Sequence, residues 1–197
     1  MVRESDAEQM KPGRVPVTIP KTSGSKALSY VRENRSHLRF LPIGRLISTS
    51  GHSLHTLFAE SVTLRVDNFP TESWLYKLST EVIQGILGGT VQHTSLFLSP
   101  KGGTTPPHYD AHDVLVVQLR GSKSVVITTE PHDPDPKEDT LLESLGSSAI
   151  QKFELGRGDA VLIPRGYAHR TSSTRASVTL GVGMHRTNER GSFGQSV

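Results

Sequence analysis

The sequence predicts a mostly β domain, an antiparallel barrel or jelly roll led by a few helices. Two observations carry that prediction, and a third removes its rivals. After Gly88-Gly89 the hydrophobic period changes from 3.6 residues to 2. The stretch beyond divides into eight short alternating runs, separated by Gly, Pro and Asp. There is no internal repeat at a solenoid period, and no glycine-rich phosphate loop opens a helix.

A chain of 197 residues can bury one sizeable core. With 22 Lys and Arg against 19 Asp and Glu, 34% hydrophobic and 21% charged residues, it has a globular rather than a disordered profile. It has no cysteine, which excludes disulfides, zinc fingers, iron–sulfur clusters and thiol nucleophiles. No apolar run approaches the roughly 18 residues that span a bilayer. The N-terminal MVRESDAEQMKPG has no apolar stretch of the signal-peptide kind, so the expected location is cytoplasmic. Any metal must be held by carboxylates and by some of the nine histidines.

Residues 1–25 are rich in Pro, Ser, Gly and charge and are expected to form a flexible arm, followed by one domain over 26–190 and a tail over 191–197. KALSYVRENR, 26–35, has helical spacing, residues 48–56 suggest a loop, and 61–67 a short strand. Thr71 is the expected cap of a helix over about 71–87. Trp74, Leu75, Leu78, Val82, Ile83 and Ile86 form its stripe, and Gly88-Gly89 ends it. Strands are expected at 91–99, 106–110, 113–120, 123–129, 151–155, 159–163, 168–173 and 176–184. Between them 131–149 intrudes, a turn-rich HDPDPKED and then TLLESL, which reads as a helical turn or two. Basic residues gather toward both ends and acidic ones at 129–149. Lacking interleaved aromatics, the basic ends read as solvated surface, and no nucleic-acid partner is expected.

The stretch that carries chemistry is PPHYDAHDVLVVQLRGSK, residues 106–123. In an extended strand residues i and i+2 point the same way, so His108 and Asp110 project an imidazole and a carboxylate into one volume. Two neighbouring ligands need a third from another strand. His169 is the best candidate, because Pro164 and Gly166 turn the chain just before it. Two histidines and one carboxylate make a facial set that suits Fe(II) and leaves positions open.

Gly102-x5-His108-x-Asp110 and Gly158-x5-Pro164-x-Gly166-x2-His169 resemble the two cupin motifs. HYDAHDVLVVQLRGSK and GDAVLIPRGYAHR are similar to strings of the JmjC-like cupin oxygenases, which include the ribosomal oxygenases. The resemblance is strong over about 90–185. It implies a double-stranded β-helix, Fe(II) held by His108, Asp110 and His169, and 2-oxoglutarate as cosubstrate, with dioxygen. The position fifteen residues after the first His, Lys123, would pair with the far carboxylate of 2-oxoglutarate. Ser95, where relatives often carry a polar Asn, and Thr179, on the strand after His169, are further cosubstrate candidates. Val114 stands where cupins usually have a fourth, glutamate ligand, which fits the three-ligand branch. Relatives follow the Lys with Trp-Arg, against Ser124-Val125 here, and continue into helical dimerisation and winged-helix regions that this chain is expected to lack.

His112-Asp113 recurs in relatives without ligating, so it is expected either to support the site from behind or to be structural. His37, His52, His55, His93, His132 and His185 are expected to be structural or on the surface. The prime substrate is expected to be a protein or peptide side chain or an amino-acid-like small molecule, with no membrane partner. A basic substrate would suit the acidic 129–149. The competing expectation is a metal-binding cupin that binds ligands or regulates without turning over 2-oxoglutarate.

Overall fold

The switch in hydrophobic period marks the end of the last helix among the described residues, beyond which every described element is a strand. The computed structural model describes residues 11–33, 39–40, 63–67, 69–84 and 88–186. Before the switch come β1 (Gly13–Arg14), α1 (Ser23–Glu33), β2 (Arg39–Phe40), β3 (Leu64–Asp67) and α2 (Trp74–Val82). After it come β4 (Gly89–Ser99), β5 (Thr104–Tyr109), β6 (Asp113–Arg120), β7 (Lys123–Thr128), β8 (Thr140–Leu141), β9 (Ile150–Leu155), β10 (Ala160–Ile163), β11 (His169–Ser172) and β12 (Ser177–Arg186).

The strands form two antiparallel sheets. The larger runs β1-β10-β6-β12-β4-β3-β2 and the smaller β8-β5-β11-β7-β9. Consecutive strands β4 to β7 alternate between the sheets, the winding of a double-stranded β-helix jelly roll. The expected fold class is therefore the observed one.

Period-2 alternation divides each strand of the larger sheet between two cores. Leu115, Val117 and Leu119 of β6 and Ala160 and Leu162 of β10 join one cluster, on which α1 and α2 pack through Ala27, Val31, Leu75, Leu78 and Val82. Val116 of β6 and Val161 and Ile163 of β10 face the other way, toward Val125 and Ile127 of β7. The same parity on β4 puts Leu96 and Leu98 with the helices and sends Ser95, Phe97 and Ser99 to the space between the sheets.

Four expectations need correction. Residues 11–25 are not a flexible arm. Gly13 and Arg14 pair with Leu162 and Val161, the Val15 amide donates to the Ala160 carbonyl at 3.1 Å, and Val15, Val17 and Ile19 pack on the helix-side core. An edge strand with free backbone groups and an apolar step overrode the polar composition. Residues 1–10 and 191–197 lie outside the described residues, as do 48–56. The first helix begins at Ser23, not at Lys26. The second is capped by Ser73, not Thr71. Ser73 has extended backbone and accepts from the Tyr76 amide at 3.2 Å, whereas the Thr71 hydroxyl donates to the Glu72 carboxylate. Finally, TLLESL is not helical. Thr140 and Leu141 pair with Tyr109 and His108 as β8, because one isolated turn nucleates poorly beside an unpaired strand edge.

Candidate metal centre

Two neighbouring strands of the smaller sheet carry the histidines, and the register sets them side by side. His108 near the end of β5 is the direct cross-strand partner of His169 at the start of β11. Their rings stand 4.1 Å apart between centroids. Asp110 follows β5, and its Oδ2 is 3.5 Å from His169 Nε2. The three ligand atoms lie within 4.8 Å of one another. The sequence-predicted triad is assembled in one place.

Both rings are oriented by their own backbone. His108 Nδ1 is 2.8 Å from the Pro106 carbonyl, and His169 Nδ1 is 3.0 Å from the Tyr167 carbonyl. A carbonyl only accepts, so each Nδ1 carries a proton, and in the neutral ring this leaves the lone pair on Nε2. His169 is 4% exposed. Burial, reinforced by His108, pushes its pKa down to about 4, so at neutral pH the ring is an uncharged ligand.

The turn before His169 is tied to the turn after His108. The Gly166 amide donates to the Asp110 carbonyl at 2.9 Å, and the Arg165 amide to Asp113 Oδ1 at 2.9 Å. From the other side, the Asp133 and His132 amides donate to the Gly166 carbonyl. Gly166 has φ +78°, and a Cβ there would stand 1.8 Å from the Asp133 carbonyl oxygen. No other residue type fits that turn unchanged. Asp113, 5% exposed, thereby holds the turn that precedes His169.

Lys123 begins β7 on the same face as Val125 and Ile127, and Ile127 pairs with His169. It is 2% exposed. Its Nζ lies 3.4 Å from the Ser99 hydroxyl and 5.5 Å from the centre of the Phe97 ring. Among the described residues no carboxylate pairs with it. Burial alone pulls its pKa down to about 7. A buried ammonium with one long hydrogen bond has capacity left for an anion.

Ser95 and Thr179 are buried on the inner face, but both hydroxyls already have protein partners. Ser95 Oγ donates to Asp67 Oδ1 at 2.6 Å, and Asp67 also holds Arg65. Thr179 Oγ1 donates to Gln118 Oε1 at 2.8 Å. Ser99, Phe97 and Gln118 were not singled out from the sequence. The alternation of β4 was the available signal for the first two. His112 stands outside the triad, edge-on to His93 at 4.4 Å, with Nδ1 3.5 Å from Asp139. In the acidic loop, Asp135 pairs with Lys137 and Asp133 accepts from the Asp135 amide, so part of its charge is used locally.

The model of the JmjC domain family matches residues 72–191, which include the triad and Lys123. This chain belongs to the JmjC domain family. Solved structures with the same fold include the X-ray structure of E. coli ycfD, at 20% identity and a TM-score of 0.61, over 93% of this chain and 52% of that one. A structure of YcfD, a ribosomal oxygenase from Escherichia coli, in complex with cobalt and 2-oxoglutarate, aligns at 19% identity and a TM-score of 0.58, over 94% and 51%. Its complex with cobalt and succinic acid aligns at 20% and 0.56, over 91% and 49%. At these identities the likeness is one of fold, and the chain spans about half the length of those proteins. β1, α1, β2 and β3 precede the matched JmjC segment, yet β3 and α1 contribute Leu64, Val66, Ala27 and Val31 to its helix-side core. No helix among the described residues is long and apolar enough to cross a membrane.

Proposed function

We propose that this protein is a non-haem Fe(II)- and 2-oxoglutarate-dependent oxygenase that hydroxylates a protein or peptide side chain or an amino-acid-like small molecule. The observation that carries the reading is a pairing. Two imidazoles and a carboxylate converge on one face of a sheet that also carries, four residues along β7 from the partner of His169, a buried lysine with no carboxylate partner among the described residues.

The donor set fits the metal. His108 and His169 present Nε2 lone pairs, and Asp110 adds one negative charge. Three such ligands leave positions for a chelating 2-oxo acid and for dioxygen. When bound, the iron with 2-oxoglutarate supplies the oxidising chemistry, and the protein supplies geometry and electrostatics. Lys123 holds the far carboxylate as a point charge with three donors. Ser95 and Thr179 contribute to the same wall, with their hydroxyls kept in place by Asp67 and Gln118. Apolar Val125, Ile127 and Val116 keep the intervening space dry, which strengthens the lysine–carboxylate attraction. No residue is needed as a general base.

Support for an oxygenase comes from family membership and from the YcfD complexes with cobalt and 2-oxoglutarate or succinic acid. The description of YcfD as a ribosomal oxygenase supports a protein substrate. The test is succinate formation from 2-oxoglutarate in the presence of Fe(II). Wild type is expected to form it, and His108→Ala and Asp110→Ala to lose at least about a hundredfold, beyond the usual cost of disturbing a ligand's outer partners. A wild-type chain that binds metal but neither binds nor consumes 2-oxoglutarate would instead be the ligand-binding cupin of the competing reading.

A further inference from the structure

Among the described residues, the lysine end of the inter-sheet space holds a cation with no counter-charge. Lys123 is 2% exposed, and its Nζ has one hydrogen bond, to the Ser99 hydroxyl of β4 at 3.4 Å. β4 also presents the face of Phe97, whose ring centre is 5.5 Å from Nζ. Gly181 of β12 leaves room for that ring, since a Cβ there would stand 2.8 Å from it. Buried Leu155 of β9 is the cross-strand partner of Lys123. On the β11 side Thr171 hydrogen-bonds Thr105 of β5 at 3.0 Å, and on β12 Thr179 is held by Gln118. None of these groups is charged.

The charged side chains further out are already matched. Arg65 of β3 covers the same Phe97 ring at 5.8 Å and pairs with Asp67, whose Oδ1 also accepts from Ser95. Glu154 of β9 pairs with Lys152 at 2.8 Å, and both side chains are exposed. An ammonium in such surroundings has exchanged its water for one long hydrogen bond. Burial disfavours the charged form and nothing nearby restores it, so the pKa falls to about 7. A carboxylate within hydrogen-bond distance reverses that balance, because an opposite charge in a poorly solvated site favours the ammonium. The carboxyl groups of 2-oxoglutarate are already ionised at neutral pH, so the proton has to come from solvent.

We propose that the lysine end is a proton-coupled carboxylate site: in the ligand-free protein above neutral pH Lys123 is an uncharged amine, and it takes up one proton from solvent as 2-oxoglutarate binds. This coupling rests on the cosubstrate role of Lys123 proposed above and adds its regulation by pH. Above pH 7 the complex holds more protons than the free protein, so affinity weakens there by about tenfold per pH unit and is nearly flat below. Succinate keeps the far carboxylate, so the proton stays on Lys123 until the product leaves.

Calorimetry of 2-oxoglutarate into the Co²⁺-loaded full chain without dioxygen, in HEPES and in Tris, reads the proton count, because the two buffers differ in ionisation enthalpy. Wild type is expected to take up about 0.9 proton at pH 8 and about 0.1 at pH 6. Its dissociation constant is expected to rise about tenfold from pH 7.5 to 8.5. Lys123→Arg, whose guanidinium stays protonated, is expected to bind with neither uptake nor slope. Lys123→Met is expected to bind weakly and also without uptake, which separates the proton of the lysine from any exchanged at the metal. Thermal melts of both variants separate lost binding from lost folding. Wild-type binding without uptake, or the same uptake in Lys123→Met, overturns the coupling and leaves the oxygenase reading standing. Uptake without turnover upholds the coupling and favours the ligand-binding cupin. A wild-type chain that binds no 2-oxoglutarate at any pH overturns both.

Discussion

The two ends of the space between the sheets handle polar groups by opposite means. At the triad end His108 and His169 have backbone carbonyls that fix their tautomers, and the Gly166 and Arg165 amides tie the ligand-bearing turns together. At the other end Lys123 has one long contact to Ser99 and the face of Phe97. The two ends are four residues apart on β7, about 13 Å along a strand. The triad end has its Nδ1 atoms and its turns held in place without a ligand. The lysine end is not, and an unsatisfied buried charge is a cost that a bound anion relieves.

The largest expected effect breaks that contrast at the lysine. Lys123→Met removes the charge and keeps the volume, so affinity for 2-oxoglutarate should fall by about 10²-fold or more, consistent with losing about 3 kcal/mol of charged hydrogen bonding. Metal affinity should stay unchanged, and calorimetry with each ligand reads both. The lysine also predicts a pH dependence with a definite sign. Its folded pKa, about 7, lies below its ordinary 10.5, so between these values the unfolded chain binds more protons. Stability of the ligand-free protein relative to Lys123→Met should therefore rise from pH 7 toward 10. Chemical denaturation at several pH values measures it, and a flat difference would mean that Lys123 is solvated.

A smaller effect sharpens the triad end. Gly166→Ala places a Cβ against the Asp133 carbonyl at a positive φ, and should cost about 2–4 kcal/mol of stability through strain and a shifted turn. Metal affinity should fall with it, because the same turn aims His169. The smallest is Asp113→Asn, which weakens one charged hydrogen bond to the Arg165 amide, about 1 kcal/mol, and should lower the melting temperature slightly. A drop in metal affinity without a drop in stability would show that Asp113 acts chiefly through the ligand turn.

Much of the site was legible because its spacing is local. His108 and Asp110 share a face by the period of a strand, and Pro164 with Gly166 marks the turn before His169. The β6 boundaries, 113–120, were read without error for the same reason: a continuous apolar run bounded by turns. The failures were of another kind. Residues 11–25 look disordered by composition, but Val15, Val17 and Ile19 find a core that their own sequence does not contain. Thr71 and Ser73 are equally good caps until backbone angles choose between them. TLLESL has a helical pattern, but the free edge of β5 captures Thr140 and Leu141.

By itself the sequence determined the fold class and set His108 beside Asp110, because alternation, turn residues and the absence of cysteine act locally, and the resemblance to the JmjC-like cupins added His169 to them. Only the tertiary structure decided that His108 and His169 are direct cross-strand partners, that Lys123 is enclosed with no carboxylate partner among the described residues, and that Asp139 reaches His112. Register and enclosure come from packing one sheet on another. They join residues tens of positions apart, through contacts that no local pattern encodes.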